Sequence, residues 1–357
     1  MLAALAVTAG IYFGSRGFAD FDPAVEWYSI GSVLAAFAIG YRFTVWAQRP
    51  PSRMYFKRGA QILFRKISIR SSRREEAHSP NSQSSQSLLT SAATNPELEL
   101  TRSLASNFAA QNFIRRRSYY RWIMHLCLSG GCTLAFAITF PLVFGWIHFE
   151  TLASNAEIYR SHVFGVAVDE FSIHSAKAFV IFNLLNFSAV LVMIGLVMAA
   201  IRRATDAGER ATQKFFEDIL PLLLIFAVTA TGLMLTVSYK FMAGRGHGGV
   251  AVVHMICVIA LLFYIPFGKL FHMFQRTCSL CVSLYKKAGD AGARAHCRRC
   301  GENFASQMQV EDLKTVLDQL GFNYRFATPN GEIHFQEICP PCRRKLLALN
   351  QGRSVGR

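Results

Sequence analysis

A chain of 357 residues, 52% hydrophobic and 13% aromatic with positive mean hydropathy, reads as a membrane protein with soluble attachments and not as a water-soluble globule. Its formal charge of +16 stands in blocks beside apolar segments, not along one continuous soluble face, so the cations read as cytoplasmic loops beside anionic lipid. No nucleic-acid partner is expected.

Six apolar stretches run near 1–14, 27–47, 122–147, 178–200, 218–238 and 251–271, most of them close to the ~20 residues that a helix needs to cross the hydrocarbon. The first is short. No basic segment precedes it and no clear small-residue cleavage site follows, so it is expected to be a helix and not a signal peptide. All four tryptophans fall at the ends of these stretches, Trp27 and Trp46 flanking the second and Trp122 and Trp146 the third, where an amphipathic ring prefers the headgroup layer. The connection between Ala47 and Arg121 carries a dense run of arginine and lysine from Arg49 to Arg74 and again at Arg115, Arg116 and Arg117. The segment from Ser15 to Glu26 holds Asp20, Asp22 and Glu26 against one Arg16. The positive-inside rule puts the former in the cytoplasm. Counting outward, both termini and Arg202–Glu217 are cytoplasmic, and the loops near 15–26, 148–177 and 239–250 are external. A multi-pass protein of a bacterial inner membrane is expected.

Residues 75–97, rich in Ser, Gln and Asn, have little to bury and predict a flexible linker. The expected organisation is an N-terminal helix pair (1–48), a basic cytoplasmic segment (49–120), a four-helix core (121–276) and a soluble cytoplasmic domain (277–357). In that last domain Val310, Leu313, Leu317 and Leu320 recur at helical spacing before Gly321, predicting a helix over 310–320. The segments 322–326 and 332–338 bracket a Pro-Asn-Gly turn and predict a β-hairpin.

Nine cysteines divide by context. Cys127, Cys132 and Cys257 lie inside apolar helices and read as packing. The other six form three CxxC pairs behind the last apolar stretch. Cys297 with Cys300 and Cys339 with Cys342 form two knuckles, each able to present two thiolates on a tight turn, and together they suit tetrahedral zinc. A single iron fits the same set, and an iron–sulfur cluster drawing on all three pairs stays open. Cys278 and Cys281 are expected to stand outside the tetrahedral set, although a pairing with Cys297 and Cys300 is the alternative.

Histidine at membrane depth is a functional signal by default. His254 and His272 are 18 residues apart, five helical turns, which puts both on one face of the last apolar helix at roughly 27 Å separation. That is the layout of a helix ligating two stacked haems. His125, at the cytoplasmic start of the third stretch, matches His272 in depth and can clamp one iron with it. For His254 the nearest partner in depth is His148, at the far end of the third stretch; it is 23 residues from His125 and therefore rotated off that face, with His162 and His174 as rivals.

The run HMICVIALLFYIPFGKLFHMF, residues 254–274, resembles the membrane cytochrome b (gamma) subunit of respiratory nitrate reductase and the related membrane subunit of heterodisulfide reductase. The shared pattern is a leading histidine, an apolar helix, a Pro-Phe-Gly-Lys turn and a closing histidine, within a similarity covering roughly residues 121–274. The resemblance implies a quinone-linked anchor with one or two b-type haems, His254 as outer ligand and His272 with His125 as the inner pair. In that family the outer partner follows its companion by ten residues, a position held here by Ala135. The implied function is electron transfer between membrane quinone and a cytoplasmic molybdopterin, hydrogenase or iron–sulfur partner. The alternative is a non-catalytic membrane scaffold or regulator whose zinc ribbon recruits partners. The expected architecture is an all-α six-helix transmembrane protein with a four-helix haem-binding core and a small C-terminal α+β zinc-ribbon-like domain.

Overall fold

The computed structural model describes residues 1–76, 105–328 and 331–356, so the predicted linker over 75–97 lies outside the described residues apart from its first two positions. The chain forms two compact units, Met1–Phe43 with Leu104–Met273, and Thr44–Ser103 with Phe274–Arg357.

Among the described residues five helices are long and apolar enough to cross a membrane: α2 (Glu26–Gln48), α4 (Tyr119–Val143), α5 (Ala176–Thr205), α6 (Leu220–Phe241) and α7 (His247–Phe267). The first apolar stretch forms α1 (Leu2–Gly14), whose 13 residues extend about 20 Å, short of a hydrocarbon core of about 30 Å. In the first unit α1 runs antiparallel to α2: a methyl group on Gly40 would come 3.1 Å from the Cβ of Ala3. Trp146 closes this arrangement by donating its indole N–H to the carbonyl of Gly10 at 2.8 Å. A Cβ on Gly14 would come 2.1 Å from the same ring, so only hydrogen fits there.

The helices α4 and α5 meet through glycine. A Cβ on Gly131 would come 2.6 Å from Val192, and one on Gly195 would come 2.7 Å from Leu128, so the two backbones approach as closely as small residues allow in lipid. Outward-facing Phe179, Val190 and Val197 of α5 are exposed, as expected of a helix whose solvent on that side is hydrocarbon.

Between α4 and α5 the expected external loop is instead a three-stranded antiparallel sheet in the order β1–β2–β3: β1 (Ile147–Leu152), β2 (Asn155–Val163) and β3 (Val166–Ser172). The turn joining β2 to β3 is Phe164–Gly165, both at positive φ (49° and 76°), as the twist of a two-residue hairpin requires. Phe149, Phe171 and Tyr159 of this sheet pack with Phe182 of α5.

The last apolar stretch departs from the sequence reading in one respect. Helix α7 ends at Phe267, because Pro266 supplies no backbone N–H and Gly268 turns to extended backbone. A 3₁₀ turn (Lys269–Phe271) intervenes before a short helix begins at His272. His254 and His272 are therefore not on one continuous helix, and the five-turn phase argument that put them on one face does not hold.

In the second unit α3 (Pro50–Glu76), from the basic segment, packs on α8 (Thr277–Asp290). Gly59 admits the side chain of Cys281, and the rings of Tyr55 and Tyr285 meet edge to face at 5.3 Å. The Arg58 guanidinium forks onto the buried carboxylate of Asp312, at 2.7 Å from Nη2 to Oδ1 and 3.0 Å from Nε to Oδ2, and the Tyr285 hydroxyl donates to the same carboxylate at 3.0 Å. Strands β4 (Arg294–His296) and β5 (Asn303–Ser306) pair, as do β6 (Arg325–Thr328) and β7 (Gly331–His334) around the predicted turn. Helix α9 (Gln307–Gln319) stands where the leucine and valine spacing put it, with Val310 and Val316 buried and Gly321 at φ 77° past its end. Helix α10 (Pro340–Ser354) completes the small α+β region.

Candidate functional sites

All five long apolar helices contribute to the wall of one cavity of about 390 Å³ in the first unit. Small side chains keep it open: Ser32 on α2, Ala135 on α4, Ser188 and Ala189 on α5, and Gly232 on α6. Four hydroxyls on its lining are engaged, Ser188 donating to the Gly131 carbonyl at 3.0 Å, Thr236 to Asn186 Oδ1 at 2.9 Å, Ser32 to the Tyr28 carbonyl at 2.8 Å and Thr229 to the Ile225 carbonyl at 2.7 Å. The lining is mostly apolar, with a few fixed polar groups, as small-ligand sites commonly are.

His254 of α7 is the histidine on this lining, and its protonation pattern can be read from its neighbours. Thr231 of α6 donates its single hydroxyl hydrogen to the Ala227 carbonyl at 2.6 Å. Its oxygen lies 2.8 Å from His254 Nδ1; with the hydroxyl hydrogen on the carbonyl, that oxygen accepts, and the matching tautomer has the proton on Nδ1 and the lone pair on Nε2. An imidazole whose outer nitrogen is held in this way is what a metal ligand needs. Ala135, where the resembled family carries the outer partner, lies on the same lining, as does Cys132, which the sequence offered only as packing.

The other singled-out histidines lie elsewhere. His125 is on the first half of α4, with its backbone carbonyl accepting from Ser129 at 2.7 Å, and His272 Nδ1 lies 2.7 Å from the Lys269 carbonyl. Neither lines the cavity. His148 is on β1 and not on the helix end where the sequence reading put it, because α4 stops at Val143. Its ring stacks on that of His162 at 4.7 Å.

The second site is in the second unit. Cys297, Cys300, Cys339 and Cys342 converge so that their sulfurs all lie within 4.8 Å of one another, with Cys300 and Cys339 at 3.6 Å. A tetrahedral zinc with Zn–S of about 2.3 Å needs sulfurs about 3.8 Å apart, so the four can hold a metal such as zinc. Each knuckle has a local cause. Gly301, at φ 74°, closes the first by donating its N–H to the Cys297 carbonyl at 2.8 Å. Cys339 is the N-cap of α10 with Pro340 following, which sets Cys342 in the first turn. Burial would push the Cys297 thiol up, but backbone N–H groups of Cys339, Cys300 and Arg299 together bring it down to about 6, while burial holds Cys342 up at about 12. Cys278 and Cys281 are not in the cluster. Cys281 faces Gly59 of α3 within its own unit, and burial keeps Cys278 a thiol, pushed up to about 11.

No protein-family model, curated protein or solved structure matches this chain.

Proposed function

We propose that this multi-pass protein is a b-type cytochrome of the quinone-linked kind, passing electrons between membrane quinone and a soluble partner on its cytoplasmic side. The observation that carries the reading is His254: Thr231 holds its Nδ1–H, which leaves a lone pair on Nε2 at the wall of an apolar cavity between membrane helices. His254, with Cys132 as a second donor side chain on the same lining, would hold a haem there. Haem bound there would supply one-electron chemistry within the membrane. A quinol bound in place of haem would find the same lone pair as its hydrogen-bond acceptor. His125 and His272 are the residues proposed for a second, cytoplasmic haem, on their matching depth in the sequence. The cysteine unit would dock the soluble partner, a molybdopterin, hydrogenase or iron–sulfur protein.

The test is a reduced-minus-oxidised visible spectrum of the full protein purified in detergent. A b-type α-band, diminished in His254→Ala while the variant still fractionates with membranes, is expected. Its absence from the parent protein overturns the reading.

The four-cysteine cluster favours a second reading, a membrane scaffold that recruits partners through a structural metal unit. Four thiolates complete a tetrahedral shell and leave no open position for chemistry. That reading predicts metal in the cysteine unit and no haem.

A further inference from the structure

We propose that His148, Glu150 and His162 form a binding site for a divalent metal of the zinc class on the three-stranded sheet, with Asp20 as the outer partner of His148. Strand geometry brings the three together. His148 and Glu150 are two residues apart on β1 and so project from the same face, and His162 of β2 is the cross-strand partner of His148 in register. The pairing of β2 with β3 shifts between Ser161 and His162, a bulge of the kind that re-aims a side chain near a functional site. The opposite face of β1 is given to packing, where Phe149 meets Phe171 and Phe182.

The donor atoms then sort into an inner and an outer set. His148 Nε2 lies 3.6 Å from Glu150 Oε1, and His162 Nδ1 lies 4.0 Å from Glu150 Oε2. One donor atom from each of the three residues falls within 4.8 Å of the other two. On the far side of the His148 ring, Nδ1 faces Asp20 Oδ2 at 4.0 Å, and Asp20 is itself held by Arg16 through Nε at 2.7 Å and Nη2 at 2.6 Å. A carboxylate hydrogen-bonded behind a ligating imidazole fixes its tautomer and raises its basicity; Asp20, anchored by Arg16, stands in that place at 4.0 Å, a gap that ligand binding would have to close.

A second observation points to a ligand. The Nδ1 atoms of both His148 and His162 are buried and make no hydrogen bond among the described residues. The two rings stack nearly parallel, at 9° and 4.7 Å between centroids. Two imidazoles and one carboxylate suit zinc and leave one coordination position open to water or an exogenous ligand.

The test uses the full-length protein in detergent, stripped with chelator and dialysed against micromolar zinc, with bound metal counted by elemental analysis. Each of His148→Gln, His162→Gln and the exposed-site variant Glu150→Gln is expected to bind one zinc per chain fewer than the parent. Asp20→Asn should weaken that zinc about 10–100-fold. Cobalt substitution separates this site from the cysteine cluster: thiolate ligation gives intense sulfur-to-cobalt charge-transfer bands, whereas the sheet site adds only weak visible bands that vanish in the histidine variants. Should the histidine variants fail to fold, Glu150→Gln, altered at the surface, decides the matter. Zinc content in Glu150→Gln equal to that of the parent overturns the proposal.

Discussion

Thr231 and His254, on neighbouring helices, share a hydrogen bond of 2.8 Å, and the hydroxyl oxygen is its acceptor when the hydroxyl hydrogen goes to the Ala227 carbonyl. The direction matters because it leaves the inner nitrogen of the imidazole unprotonated. Thr231→Val keeps the shape and removes the acceptor, freeing the ring to rotate or change tautomer. Loss of such an outer partner typically costs about 10–100-fold in ligand affinity. Haem retention on dilution in detergent should fall by that factor, while membrane insertion stays unchanged. Retention equal to that of the parent would remove Thr231 from the account.

Ala135 lines the same cavity as His254, from the opposite side of the chain's fold order. Ala135→His adds a second imidazole to a lining that holds one. If haem sits there, its absorption should change from the spectrum of a single axial imidazole to that of two, read in the Soret and α-bands. No spectral change in a protein that still binds haem would mean that the cofactor lies elsewhere.

The cysteines should separate into two classes. Cys297→Ser and Cys339→Ser are expected to remove the metal of the second unit and to lower its melting temperature to that of chelated protein, because in so small a region metal binding is a large part of folding energy. Cys278→Ser should keep the metal and cost about 1–2 kcal/mol, the price of placing a hydroxyl in a buried position. Elemental analysis beside thermal unfolding distinguishes the two.

Glu337 gives the second unit a defined acid sensitivity. Burial would raise its carboxyl, but the Lys314 ammonium at 2.7 Å and the His334 backbone N–H hold it below the ordinary value of 4.5. A carboxylate with a depressed folded pKa stabilises fully above its unfolded value, and the contribution is lost as pH falls through the folded one. Glu337→Gln should therefore be less stable than the parent at neutral pH, with the difference narrowing as pH is lowered below about 4.5. A gap that is constant across this window would point to lost packing and not to lost charge.

What was legible in the sequence was what repeats or pairs. Runs of apolar residue ended by Trp46, Trp122 and Trp146 marked helices because both signals come from the same solvent boundary. Two CxxC pairs marked a cluster because thiolates at that spacing have few other uses. The sheet over 147–172 was missed because its tight turn is Phe164–Gly165 and not the usual Asn-Gly or Asp-Gly, and a phenylalanine at positive φ gives no sequence warning. Helix α3 hid inside a basic segment, since its contacts with α8 are made at Gly59 and Tyr55 and its contact with α9 through Arg58. The cavity was illegible for a further reason: Ala135, Ser188 and Gly232 matter by their smallness, and which small residues face one another is decided by helices far apart in the chain.

The seat of Trp146 on Gly10 and Gly14 also sets an order of events. The helical hairpin of α1 and α2 ends at Gln48, 98 residues before the ring that clasps it, and the indole can enter only where two successive turns of α1 present bare backbone. The contact between Trp146 and the glycine face of α1 can therefore form only after α4 has been made. A bulkier residue at Gly14 should leave each helix able to insert on its own, yet stall the chain as a hairpin that never finds its mate.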